Sequence, residues 1–282
     1  MRAQSHKRKR RLLPKPVALL LLLLVAALLD SRYRLVTDTF SIVDPALPDA
    51  FDGFRVVQLS DLHEREFGKC NARLVAAVAA ENPDLIALTG DFIDDAEDMD
   101  VTLTLATQLT RLAPVYFISG NHDWATGAME TLRTSLENAG VTVLDNRWEL
   151  LERGGDTIAL CGIEDPNGYA DSAEPDAVVR AVHAAYGDCY TLMLAHRNNW
   201  LEAYPTLAVN LILCGHGHGG IVRLPGLGGL FGSNETLFPE YSAGLYQSPT
   251  YQMLVSRGLG GGMKVPRLLN NPEIVSVTLH NK

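Results

Sequence analysis

The sequence predicts an α/β fold with largely parallel strand pairing in its first half. Two observations carry this. From residue 54 onward, short apolar runs rich in Val, Ile and Leu recur, each ending at a polar or glycine cluster. Between the earlier runs lie stretches with helical spacing, and strands that alternate with helices pair in parallel through crossover connections. A chain of 282 residues, 47% hydrophobic and 20% charged, also has the size and composition of a folded body with a substantial core.

The N-terminal stretch MRAQSHKRKRRLLPK carries seven Lys or Arg and no acid, and an uncharged apolar run of 13 residues follows over 17–29. Such a run is short of the roughly 17–25 residues that a membrane span needs. A basic stretch before a short apolar one reads as an export signal, with Val25 and Ala27 resembling a cleavage site and KRRLLPK a loose twin-arginine pattern. Residues 1–29 are therefore expected to be a signal or a membrane anchor, cleaved or retained. Residues 30–50 are expected to be a linker and 51–282 a single domain. Either fate of the leader puts that domain outside the cytoplasm, by the positive-inside bias.

Strands are expected over 54–60, 84–89, 115–118, 141–144, 157–161, 190–195, 209–213, 251–255 and 274–279. Helices are expected over 71–81, capped by Asn71 and stopped before Pro83, and over 99–112, 126–139 and 173–186. After residue 205, helices give way to short strands and glycine-rich turns.

Without its basic leader the chain has 17 basic residues against 33 acidic ones. So acidic a body repels phosphate backbones, which excludes a broad nucleic-acid footprint, although bound divalent cations would invert the sign locally. Cys70, Cys161, Cys189 and Cys214 show no paired short spacing. Neither a zinc knuckle nor a dense disulfide framework is present, and one or two unassigned disulfides remain open.

Ligands of open α/β sheets gather at the carboxyl ends of the strands. Five expected strands end in groups that bind metals: Asp61-Leu62-His63, Gly90-Asp91-Phe92-Ile93-Asp94, Gly120-Asn121-His122-Asp123, His196, and Gly215-His216-Gly217-His218. Each group alone reads as ordinary turn chemistry or a satisfied polar residue. Five of them at five strand ends supply the carboxylate, imidazole and amide donors suited to borderline divalent ions such as Mn, Fe or Zn. Two such ions a few ångströms apart clamp the attacking and leaving oxygens of a phosphoryl group.

These motifs, in this order, resemble those of the calcineurin-like metallophosphoesterases. The likeness runs from residue 61 to 218 and is expected to extend over about 51–280, and it is greatest to exported or membrane-attached bacterial members. The resemblance implies a four-layer αββα sandwich of two mixed sheets flanked by helices. It also implies one metal held by Asp61, His63 and His218, another by Asn121, His196 and His216, and Asp91 bridging them. His122 would be the general acid, with Asp123 a candidate to orient it, while a metal-bridging hydroxide attacks phosphorus. Asp94 would support the Asp91 loop. Gly217 and Gly219 are expected to give the backbone the turns that aim His216 and His218.

The substrate implied is a phosphodiester, a phosphomonoester or a pyrophosphate. The N-terminal segment suggests a lipid-linked or envelope-linked one. A broad-specificity esterase acting on soluble substrates and a noncatalytic scaffold of the same fold are the alternatives. The chain departs from the family after His196, where Arg197, Asn198 and Asn199 replace the usual proline-containing continuation. Arg197 either pairs with a substrate phosphate or is a solvated surface residue. Trp124 is expected to pack beneath its loop, and His6, His183 and His280 to be structural or solvent-facing.

Overall fold

The computed structural model describes residues 14–169, 173–233, 236–261 and 265–282. Most of the basic leader, His6 included, lies outside them. The chain starts with α1 (Lys15–Tyr33), β1 (Val36–Val43), β2 (Arg55–Leu59), α2 (Ala72–Ala80), β3 (Leu85–Thr89), α3 (Asp100–Leu109) and β4 (Val115–Ile118). It continues through α4 (Asn121–Ala125), α5 (Met129–Asn138), β5 (Thr142–Val143), the β6–β7 hairpin (Trp148–Arg153, Asp156–Gly162) and α6 (Pro175–Tyr186). Then come β8 (Thr191–Leu194), α7 (Trp200–Ala203), β9 (Leu211–Cys214) and the small hairpin β10–β11 (Arg223–Leu224, Gly228–Gly229). The chain closes with β12 (Gly244–Gln247), β13 (Gln252–Val255) and β14 (Glu273–His280).

Two six-stranded sheets result, with strand orders β1-β14-β2-β3-β4-β5 and β12-β13-β9-β8-β7-β6. Strands β2 to β5 pair in parallel, as the alternation of strands and helices predicts, and so do β7, β8, β9 and β13. Side chains of a strand point alternately to opposite faces, and this sorts the core into three slabs. Val57 and Leu59 meet Leu74, Val78, Leu105 and Leu136 of the helices on one face of the first sheet. Val56, just before Val57 and so on the opposite face, meets Leu160, Leu192 and Leu213 of the second sheet. Ile212 and Met193 face Val178, Val182 and Trp200 on the far side. The layers are therefore helix, sheet, sheet, helix.

Three segments differ from expectation. The apolar helix extends over 19 residues, because Lys15, Pro16 and residues 30–33 join the 13-residue run. Most of its apolar residues are exposed, and it is long and apolar enough to cross a membrane. Residues 30–50, expected as a linker, contain β1, which pairs in parallel with β14 along its whole length. Strand β6 has the sequence WELLER, which lacks the alternation of a strand. It is extended because Gly154 and Gly155, with φ of 59° and 94°, fold it back antiparallel onto β7.

Asn71 stands just before α2 but does not cap it. Its Oδ1 accepts the N–H of Phe67 at 2.8 Å instead. All four cysteines are free.

Leu192 is fully buried in the slab between the sheets. Leu192→Ala is expected to lower the free energy of unfolding by about 2–5 kcal/mol, read from chemical denaturation, with the slope against denaturant unchanged.

Candidate metal centre

The carboxyl ends of β2, β3 and β4 in one sheet and of β8 and β9 in the other meet at one point. Two bonds lock the sheets together there. Gln58 Nε2 donates across to the Cys214 carbonyl and, within its own sheet, to Thr89 Oγ1, both at 2.9 Å. His196 Nδ1 lies 2.9 Å from the Thr89 carbonyl, which makes Nδ1 a protonated nitrogen and turns Nε2 toward Asp91.

Three groups of side chains converge on this point. Asp61, His63, Asp91 and His218 bring one donor atom each within 4.8 Å of one another, and so do Asp91, His196 and His216. Asn121 adjoins the second group, its Oδ1 3.2 Å from His196 Nε2. Asp91 is common to both, with Oδ2 3.1 Å from His196 Nε2 and 3.9 Å from His63 Nε2. Asp94 and His122 form the third group with His63. The structure thus brings the side chains of all seven of these residues to one place, with Asp91 common to two groups.

Their chemistry calls for cations. Asp61, His63, Asp91, His196, His216 and His218 are all buried, and His63 Nε2 and His218 Nδ1 make no hydrogen bond among the described residues. Buried donors and acceptors in that state are costly unless something else satisfies them. The neighbouring imidazoles also divide sharply. Burial opposes charge on His196, but the Asp91 carboxylate beside it, with that of Asp61, pushes it up to about 10. His216 is driven down to about 2 by burial, then by the charges of His196 and Arg197. Burial, and after it His63 and Arg267, holds His218 well below its ordinary value. The residues fit two divalent ions.

Backbone conformation contributes to the convergence. Asp61, His63, Asp91, His216 and His218 all have φ between 45° and 65°, the left-handed region that side chains other than glycine rarely adopt. In the Gly-His-Gly-His loop the histidines themselves make these turns, while Gly217 has an ordinary φ of −77°. What Gly217 supplies is room, since a Cβ there would stand 2.7 Å from Asn198 Nδ2. Gly219 does turn left-handed, at φ 63°, as expected.

The two acids beside the site exchange their expected tasks. Asp94 Oδ1 is the atom that binds His122, at 2.8 Å from its Nδ1, and also His63, at 2.7 Å. Asp123 is fully buried and accepts four backbone N–H groups: Asp91 and Gly120 on Oδ2, and Phe92 and Ile93 on Oδ1, at 2.8–3.1 Å. It fixes the Asp91 loop, and it is pushed up to about 7, first by burial and then by the Asp91 charge. Chain order conceals this exchange, because Asp123 adjoins His122 in sequence whereas Asp94 reaches it across two loops.

Arg197 is half-buried, with Nε and Nη2 bonded at 2.6 and 3.0 Å to the buried Asp165 and Nη1 3.1 Å from His216 Nε2. It belongs to the site rather than to the solvent, and Asp165 is a residue that the motifs give no reason to select. Both line a cleft of 410 Å³ that also reaches His196. Trp124 packs as expected, donating to Ser119 Oγ at 2.8 Å. His183 and His280 bond to the Ala208 carbonyl and to Asp52, away from the site.

Two sheets that deliver acids and imidazoles to one doubly ligated point define a dinuclear metallohydrolase. The chain belongs to the calcineurin-like phosphoesterase family, whose model matches residues 54–220. It is 27% identical to the metallophosphoesterase YkuE of Bacillus subtilis, over 88% of this chain and 86% of that one. It is 28% identical to the phosphodiesterase YaeI of Escherichia coli, over 80% and 82%. A transmembrane protein with a metallophosphoesterase domain from Danio rerio is 28% identical over 83% of this chain and 54% of its own length. The fold is similar to that of a dimetal phosphatase from Danio rerio, with a TM-score of 0.52 and 11% identity over 81% of this chain and 93% of that one. The protein is accordingly a metal-dependent hydrolase of phosphoric esters that uses two divalent ions.

Asp123→Ala leaves four buried N–H groups without an acceptor. At about 1–3 kcal/mol for each unsatisfied group, the loss of stability is expected to exceed about 3 kcal/mol, with fewer metals bound per chain. Asp94→Ala, at a partly exposed carboxylate, is expected to cost under about 1.5 kcal/mol in the same denaturation measurement.

Proposed function

We propose that Asp61, His63 and His218 hold one ion, that Asn121, His196 and His216 hold the other, and that Asp91 joins them. The observation that carries this is the sharing of Asp91 between two groups of buried donors. The ions supply Lewis-acid polarisation of the phosphoryl oxygens and a water acidified enough to attack phosphorus.

His122 supplies the proton to the leaving oxygen. Its side chain is about one third exposed, so a substrate can reach it, and its Nδ1 is tied to Asp94. That bond, against the pull of burial, raises the imidazole above its ordinary value and favours the protonated ring that a general acid needs. Asp94 fixes the rings of His122 and His63 with one oxygen, so it positions the acid and a ligand together. Arg197, held in place by Asp165, offers a guanidinium to the non-bridging phosphate oxygens. Helix α1 is read as a retained membrane anchor with the hydrolase domain outside the cytoplasm, and the substrate as a phosphate ester presented at that surface. The exposed apolar face of α1 and the transmembrane relative support this.

Metal analysis beside a panel of phosphate mono- and diesters tests the assignment. His122→Ala is expected to lose roughly 10²–10⁴-fold in turnover with two metals retained. Asp91→Ala is expected to lose both metals and turnover together. Wild-type protein with fewer than two metals per chain in manganese buffer and no ester hydrolysis would refute the reading. Arg197→Ala is expected to lower kcat/KM by about tenfold or more with metal content unchanged, since a charge-assisted phosphate contact contributes about 1.5–3 kcal/mol.

A further inference from the structure

A second cleft, of 540 Å³, lies between the end of α1 and residues 265–267 and reaches His63. Its walls differ in character. Leu28 and Leu29 on α1 and Val265 opposite are apolar, and Leu29 and Val265 are about half exposed. Arg32, Arg65 and Arg267 bring three guanidinium groups, and no Asp or Glu is among the described lining residues. In a chain of net charge −9, three cations gathered without a carboxylate mark a place for an anion.

Arg267 makes the point more sharply. It is 7% exposed, and its Nε and Nη2 both donate to the Gly260 carbonyl, while Nη1 is buried with no partner among the described residues. A buried guanidinium N–H is costly to leave unmet, so an anionic acceptor fits there. Arg65 is also fixed, with Nη1 2.9 Å from the Leu259 carbonyl and its guanidinium 4.8 Å from the centre of the Phe67 ring.

The apolar wall is seated as firmly. Asn271 Nδ2 donates to the Asp30 carbonyl at 2.9 Å, the Asn270 N–H to Ser31 Oγ at 3.3 Å, and Arg73 Nη2 to the Tyr33 carbonyl at 3.1 Å. Leu28 and Leu29 are the last apolar residues before Asp30. With α1 in a bilayer, the mouth of the cleft therefore opens where the helix leaves the hydrocarbon, and Arg32 stands at headgroup level.

We infer that this cleft admits the ester of a lipid-anchored phosphate. The first methylenes of the lipid chain lie along Leu28, Leu29 and Val265, and the phosphate passes Arg65 and Arg267 to the metal centre beside His63. This deepens the proposed phosphoesterase function and rests on it.

The test uses full-length protein in phosphatidylcholine nanodiscs and nitrophenyl alkyl phosphodiesters with methyl, butyl or hexyl chains, below their micelle-forming concentrations. Each methylene that leaves water improves binding roughly fourfold, so kcat/KM is expected to rise at least about tenfold from methyl to hexyl. Leu29→Asn and Val265→Asn, both at exposed positions, are expected to remove most of that gain and to leave the methyl ester within about twofold of wild type. Arg65→Gln is expected to lower kcat/KM for all three esters by about tenfold. Equal rates for methyl and hexyl esters, or a gain that both asparagine substitutions leave intact, would overturn the inference while leaving the phosphoesterase reading in place. Unchanged rates in Arg65→Gln would remove the anionic half of it. Failure to hydrolyse any ester, methyl included, would overturn both.

Discussion

One buried carboxylate fixes the geometry on which the site depends. Asp123 receives N–H groups from three consecutive residues after β3 and from Gly120 after β4, so neighbouring strand ends are tied at a single point. The Asp91 loop can then turn left-handed and hold its own carboxylate between the two groups of imidazoles. Gly90 and Gly120 have to be glycine for this to happen. A Cβ on Gly90 would meet Gly120 and His196 Nδ1 at 2.7 Å, and one on Gly120 would collide with Asp91.

The site stores strain on this frame. Five of the seven proposed ligand residues have left-handed backbones, each costing on the order of 1–3 kcal/mol, and some of their buried polar atoms have no partner among the described residues. Two cations held by these residues would offset that cost by taking up the unpaired donor atoms and neutralising the gathered acids. Metal binding and the fold of these five loops are therefore coupled.

Much of this was legible in the sequence, and the exceptions have a common cause. The strand ends were readable because short apolar runs stop at Asp61, Gly90, Gly120, His196 and Gly215, and the metal-binding residue types follow at once. The tasks of Asp94 and Asp123 were not, because each acts on a loop other than its own. Strand β1 looked like a linker because its extended state depends on β14, more than 230 residues later. WELLER carries no strand pattern and is ordered by a hairpin turn. The Arg267 cleft needs α1, the β2 loop and the segment before β14 together, and no local pattern registers that.

Only Arg34 and Leu35 separate the end of α1 from the start of β1, and β1 is hydrogen-bonded to β14 along its full length. A helix embedded in a bilayer would thus pass almost without a joint into the sheet that carries Asp61 and Asp91. The domain would have little freedom to swing away from the lipid. Its catalytic face would stand at a set height, and a lipid-anchored ester of the kind inferred above would reach it by lateral diffusion within the leaflet. For such an enzyme the governing concentration is the surface density of the ester, not its concentration in bulk water.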